Sequence, residues 1–127
     1  MIVVDASAAL SALLNAGPAR TALAAEPLHV PHLVDSEIAN VLRRKVGSRS
    51  LSDAAAWKLL DRWRRLGVIR YPMVGLLDRV WDLRDNLSAY DATYVALAEN
   101  LGCALLTADG RLARASGIRC PITVVPR

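Results

Sequence analysis

The chain has 127 residues, room for one domain with its own core but hardly for two. At 54% hydrophobic and 22% charged residues it lies outside the composition of disordered chains, and its longest apolar stretch, Ala6 to Leu14, is broken by Ser7 and Ser11 and falls far short of the ~20 residues that span a bilayer. Sixteen basic residues against 12 acidic give a net charge of +4, and 14 of the 16 are arginine, which favours planar, bidentate contacts to phosphate or carboxylate.

Short apolar runs bounded by Pro, Gly or Asp alternate with segments of helical period, the pattern of βαβ units and a mostly parallel sheet in an α/β fold. Ile2 to Val4 predicts the first strand, Ser7 then caps a helix over Ala8 to Leu14, and a second short helix covers about Ala19 to Ala25. Asp5 stands where a secretory leader would run from a basic to an apolar region, so a cytoplasmic location is expected. Leu28 to Val30 is the second strand. It ends at Pro31, flanked by His29 and His32, whose spacing across a proline is not that of helical metal ligands, so both read as structural or rim residues. Val34 to Lys45 follows as a helix with Val34, Ile38, Val41 and Leu42 on one face. Ser52 caps a long helix to Leu66, with Gly67 expected as its left-handed terminator. Two consecutive helices exceed what one crossover needs, so Trp57 and Trp63 divide between core and a partner surface in a way that period alone does not assign.

Val68 to Tyr71, Ala104 to Leu106 and Ile122 to Val125 complete five strands, all poor in polar alternation, as strands covered on both faces are. Helices over Leu76 to Leu83 and Asp91 to Leu101 lie between them, the second closed by Gly102, and a last short helix starts near Asp109. Cys103 and Cys120 lack CxxC or Cys/His spacing and read as buried thiols. With no repeat, low-complexity tract or linker, residues 1–127 read as a single domain.

Four acidic residues share one setting. Asp5 ends the first strand, Glu37 lies early in the helix after the second, Asp91 begins a helix and Asp109 follows the fourth strand. In a parallel sheet with returning crossover helices, strand C-termini and helix N-termini meet at one edge, where open α/β sheets bind ligands. Each acid alone is explained by a cap or a helix dipole, but all four falling at one edge is not. Crowded carboxylates raise one another's pKa unless a cation neutralises them, and an oxygen-only set suits Mg²⁺, or Mn²⁺ in its place, better than Zn²⁺. Asp35 competes with Glu37, two residues earlier and about 200° away around the helix, and periodicity does not choose between them.

The stretches M-I-V-V-D-A-S-A-A-L from Met1, V-P-H-L-V-D-S-E-I-A-N-V-L-R-R from Val30, Y-D-A-T-Y-V-A-L-A-E from Tyr90 and L-L-T-A-D-G-R-L from Leu105 occur in this order over nearly the whole chain. In them the sequence resembles the PIN-domain ribonucleases, and among these the VapC toxins of bacterial toxin–antitoxin (VapBC) pairs. The resemblance implies a parallel sheet of order 3-2-1-4-5 between helices on both faces. It places the family's acidic positions on Asp5, Glu37, Asp91 and Asp109, settling Glu37 over Asp35, and its hydroxyl positions on Ser7 and Thr107.

The expected activity is endoribonuclease: the quartet holds one or two Mg²⁺, water is activated for in-line attack, and products carry 5′-phosphate and 3′-hydroxyl ends. Arg43, Arg44, Lys45, Arg49 and Arg111 are candidates for the sequence-independent hold on the RNA backbone. The resemblance also implies a homodimer and a VapB-type antitoxin that covers the site and carries the only contact with operator DNA. Trp57 and Trp63 are candidates for its groove, with no membrane partner.

Two other classes fit the sequence less well. A receiver-type phosphoacceptor domain needs adjacent acids after the first strand and a lysine near the last, whereas Lys45 and Lys58 lie elsewhere. A non-catalytic RNA-binding or scaffold module on a PIN fold is opposed by the complete quartet. With four acids assigned to the site, the other eight face 16 basic residues, so an acidic pocket sits in a body of charge +8.

Overall fold

The computed structural model describes every residue from Met1 to Arg127. Strands β1 (Ile2–Val4), β2 (Leu28–Pro31), β3 (Ile69–Tyr71), β4 (Ala104–Thr107) and β5 (Ile122–Val124) form one sheet in the order β3-β2-β1-β4-β5. Every neighbouring pair is parallel, with Val3 opposite His29 on one side and Leu105 on the other. All five strands therefore end at the same edge.

Helices α1 (Ala6–Leu14), α2 (Pro18–Ala25), α3 (Leu33–Gly47), α4 (Asp53–Arg65), α5 (Leu77–Asp82) and α6 (Ala89–Leu101) surround the sheet. The core runs through its middle: Val3, Val4, Val30, Leu105 and Leu106 have no more than 1% of their surface exposed. An unbroken buried run from Ala92 to Ala98 marks α6 as a helix enclosed on nearly all sides, packed on β1, β2, β4 and α5. No helix of the chain is long and apolar enough to cross a membrane.

The strands fall within one residue of their predicted bounds, but cover on both faces holds only for the central three. Ile69 on β3 and Val124 on β5 are half exposed, because an edge strand has a neighbour on one side only. Helix ends differ more. Asp5, not Ser7, caps α1, its Oδ1 accepting from the Ala8 amide at 2.9 Å. Ser52 does cap α4, but that helix ends at Leu66 in extended backbone and Gly67 takes no left-handed turn. Gly102 does, at φ 69°, closing α6 as expected.

The segment predicted as one helix from Leu76 to Leu83 is a 3-10 turn, Val74–Leu76, followed by the short α5. No α-helix starts near Asp109. Its carboxylate accepts the Arg111 amide at 3.0 Å, a local turn that competes with helix, and only a 3-10 turn at Leu112–Arg114 follows. Cys103 and Cys120 are free and half-buried where full burial was expected, and burial pushes the Cys120 thiol up to about 11.

Candidate active site

The end of β1 delivers Asp5 into the sheet edge with 6% of its surface exposed. Its carboxylate accepts three hydrogen bonds, Ser7 Oγ to Oδ1 at 2.6 Å, the Ala8 amide to the same oxygen and Thr107 Oγ1 to Oδ2 at 2.5 Å, which leaves acceptor capacity on Oδ2. The same hydroxyls accept in turn, Ser7 from the Ala108 amide at 2.9 Å and Thr107 from the Asp109 amide at 3.0 Å. The two expected hydroxyls thus tie the ends of β1 and β4 together around one acid.

Glu37 reaches this edge from α3, and its Oε1 accepts from Tyr94 Oη at 2.5 Å. Sequence reasoning missed Tyr94, although the signal was present: it lies three residues after Asp91 on α6, the spacing that puts two side chains on one helix face. Asp91 lies in the first turn of α6, which starts two residues earlier than predicted because Ser88 is its cap, Oγ accepting from the Asp91 amide at 3.1 Å. Asp109 stands two residues past the end of β4.

The carboxylates sense one another. Burial pushes Asp5 above the ordinary carboxylate value, its hydrogen bonds oppose this, and the charge of Asp109 adds to it. Burial raises Glu37 too, against the Tyr94 hydrogen bond and with the charges of Asp91 and Asp5. For Asp91, burial comes first, then repulsion from Asp5 and Asp109, partly offset by Arg111. Asp109 differs: Arg111 forks it, Nε to Oδ1 at 3.1 Å and Nη2 to Oδ2 at 2.9 Å, and holds its carboxyl below the usual range.

Asp35 lies outside this group. Trp63 Nε1 donates to its Oδ1 at 2.7 Å, and Arg70 forks it at 2.7 and 2.9 Å, lowering its pKa.

The four acids do not close into a cage, and nowhere in the chain do three His, Cys, Asp or Glu side chains stand together as a ready set of metal ligands. An open, all-oxygen, electrostatically overloaded group fits Mg²⁺, which keeps several waters and takes one or two carboxylates. It does not fit the closed nitrogen and sulfur sets of structural zinc.

The predicted basic residues separate. Arg44 and Lys45 line a groove that opens from Glu37 and Ser7, together with Arg127, which the sequence reading did not single out. Arg43 instead donates to Asn40 Oδ1 at 3.1 and 3.0 Å, Arg49 lies in the loop after α3 in the left-handed region at φ 63°, and Arg111 is held by Asp109. His29 is buried with Nδ1 2.6 Å from Tyr71 Oη, a structural pairing as expected, and His32 is exposed. Trp63 is core, 1% exposed, so of the two candidate tryptophans only Trp57, 54% exposed, offers a surface. Trp57 borders a shallow apolar groove of about 260 Å³ between α3 and α4, floored by Leu42, Val46 and Leu60.

A family model described as PIN domain matches residues 2–118. Over 127 residues, the whole of both chains, the protein is 65% identical to VapC ribonuclease Mb0985 of Mycobacterium bovis and likewise to Ribonuclease VapC9 of Mycobacterium tuberculosis. The chain belongs to the PIN-domain family, in its VapC group. Its fold is also that of VapBC2 from Rickettsia felis, solved bound to a DNA fragment from its promoter, with a TM-score of 0.69 at 14% identity over 97% of this chain and 99% of that one.

Proposed function

We propose that the protein is an endoribonuclease toxin whose acidic edge hydrolyses RNA phosphodiesters with Mg²⁺, or Mn²⁺ in its place, leaving 5′-phosphate and 3′-hydroxyl ends. The observation that carries this reading is the group Asp5, Glu37 and Asp91, three carboxyl groups without an ion-pair partner, each pushed above its ordinary pKa at the strand-end edge. Such a group lowers its free energy by taking up a cation. Bound there, Mg²⁺ supplies charge neutralisation at the phosphate and activation of the attacking water.

The chain's own residues supply position and polarity. Asp5, Glu37 and Asp91 would hold the cation, with Asp109, forked by Arg111, as the fourth acid beside them. Ser7 and Thr107 fix both oxygens of Asp5, and Tyr94 fixes one oxygen of Glu37 while its hydroxyl stays protonated. The non-catalytic alternative has no observation in its favour.

The 65% identity to proteins named VapC ribonucleases supports the ribonuclease reading, and its proposed consequence is arrest of translation and growth in the cytoplasm until an antitoxin intervenes. A VapB-type antitoxin laying an amphipathic helix into the groove beside Trp57 suits that surface, and operator DNA is then reached only through the antitoxin. A homodimer would cover the exposed stripe of Val74, Leu77 and Trp81.

The test is RNA cleavage in Mg²⁺ and in EDTA with both product ends mapped. Cleavage only with Mg²⁺, giving 5′-phosphates and 3′-hydroxyls, is expected. Ends carrying 2′,3′-cyclic phosphate, or cleavage undiminished by EDTA, would overturn the mechanism.

A further inference from the structure

A groove of about 510 Å³ runs between α1 and α3. Both helices begin at the acidic edge, so it starts at Ser7 and Glu37 and follows the two axes away from it. Two helical turns further on lie Leu14 and Asn15 from α1 and Arg44 and Lys45 from α3, about 10 Å along at 1.5 Å per residue. The groove is therefore acidic at one end and basic at the other.

Its basic end is unclaimed. The side chains of Arg44 and Lys45 have no ion-pair or hydrogen-bond partner, whereas Arg127 reaches back to the acidic edge, donating to the Ala108 carbonyl at 3.3 Å and helping to lower Asp109. Between the two ends Leu10, Leu14 and Val41 form an apolar floor. Two amides flank that floor. Asn40 uses its Oδ1 to accept both Arg43 bonds, which leaves its two side-chain N–H donors without a partner, and the Asn15 side-chain amide makes no hydrogen bond. A phosphate at the acidic edge, an apolar face for a base, amides for the base rim and cations for the next phosphate form the pattern of one nucleotide.

We propose that this groove is a nucleotide subsite flanking the scissile phosphate, in which Arg44 and Lys45 take the neighbouring phosphate and Asn15 and Asn40 read the base. Its apolar floor between an acidic and a cationic end suits the base and phosphates of RNA, whereas the apolar face of a protein helix would leave both ends unmatched. The inference rests on the ribonuclease reading above and adds where sequence preference arises.

The experiment uses the full chain on a random-sequence RNA oligonucleotide pool, with cleavage sites sequenced and binding of the pool followed in EDTA. The Asn15→Ala/Asn40→Ala pair should flatten the base preference at one position beside the cut by roughly five- to a hundredfold, the discrimination that amide–base pairing supplies, with little change in binding of the pool. Arg44→Ala/Lys45→Ala should weaken binding equally across sequences and reduce the salt slope by about two phosphate contacts.

A wild-type protein that cuts no RNA in the pool counts against the ribonuclease reading itself. One that cuts, with a base profile absent or untouched by the asparagine pair, overturns the subsite. Loss of antitoxin binding with RNA binding intact in the arginine–lysine pair overturns it too, and assigns the groove to the antitoxin.

Discussion

Helix α3 carries two carboxylates two residues apart whose surroundings are opposite. Asp35 turns toward α4 and β3, where the Arg70 guanidinium and the Trp63 indole satisfy it and hold its pKa low. Glu37 turns to the strand-end edge, where burial and the charges of Asp91 and Asp5 push its pKa up against a single phenol donor. The first is a structural joint between two helices and the sheet. The second is held in an unfavourable electrostatic state that a cation relieves. What separates Asp35 from Glu37 is the partner, not the residue type: Asp35 is satisfied by an arginine and an indole, and Glu37 stands among acids.

That contrast can be broken by substitution. Removing one of the crowded acids, Asp91→Asn or Glu37→Gln, should reduce RNA cleavage to background while the melting temperature stays at or above that of the wild type, since repulsion is relieved. A cleaving variant would remove that acid from the site. Trp63→Ala takes the buried ring out of the α3–α4 joint and should cost about 3–5 kcal/mol by denaturant titration, whereas Trp57→Ala, on the exposed side of the same helix, should change stability little and weaken antitoxin binding. Asp35→Ala orphans the buried Trp63 N–H and should cost about 1–3 kcal/mol, with catalysis per folded molecule unchanged. Loss of activity at constant folded fraction would make Asp35 part of the site after all.

The smallest expected effect is a pH dependence of sign opposite in the two regions. Asp5, Glu37 and Asp91 have raised values, so their protonated forms favour the folded state. That contribution is full below the ordinary carboxylate value of about 4 and is lost as pH rises through the raised values. Asp35 and Asp109 are lowered and contribute stability above that ordinary value, lost as pH falls through theirs. Mg²⁺ should therefore raise the melting temperature by more degrees at pH 7 than at pH 5, when read against EDTA controls. A shift independent of pH would contradict the cation-relief picture.

The strands were legible because burial on both faces leaves short apolar runs between breakers, and β1, β2 and β4 are of that kind. The edge at which the acids meet followed from parallel topology alone. The strand order and the choice of Glu37 over Asp35 came with the family resemblance, because the residues that separate the two acids, Trp63 and Arg70 against Tyr94, lie 28 to 57 positions away in the chain. Long-range partners also explain the misread cap of α1. Ser7 has the side chain of a cap, but its hydroxyl is committed to Asp5 and to the Ala108 amide 101 residues on, which leaves Asp5 to close the helix. Asn15, Asn40 and Arg127 gave no local signal at all, since a groove between two helices exists only once they pack.

Asp5 is both the cap of α1 and the knot between β1 and β4, whereas Asp91 is only a side chain projecting from a helix already capped by Ser88. Inactivating changes should then fall into two genetic classes. Chains that lose Asp5 would be scarce as well as idle, and recessive. Chains that lose Asp91 would accumulate as well-folded decoys able to titrate the antitoxin, so a dead copy of this kind could unleash an intact one in the same cell.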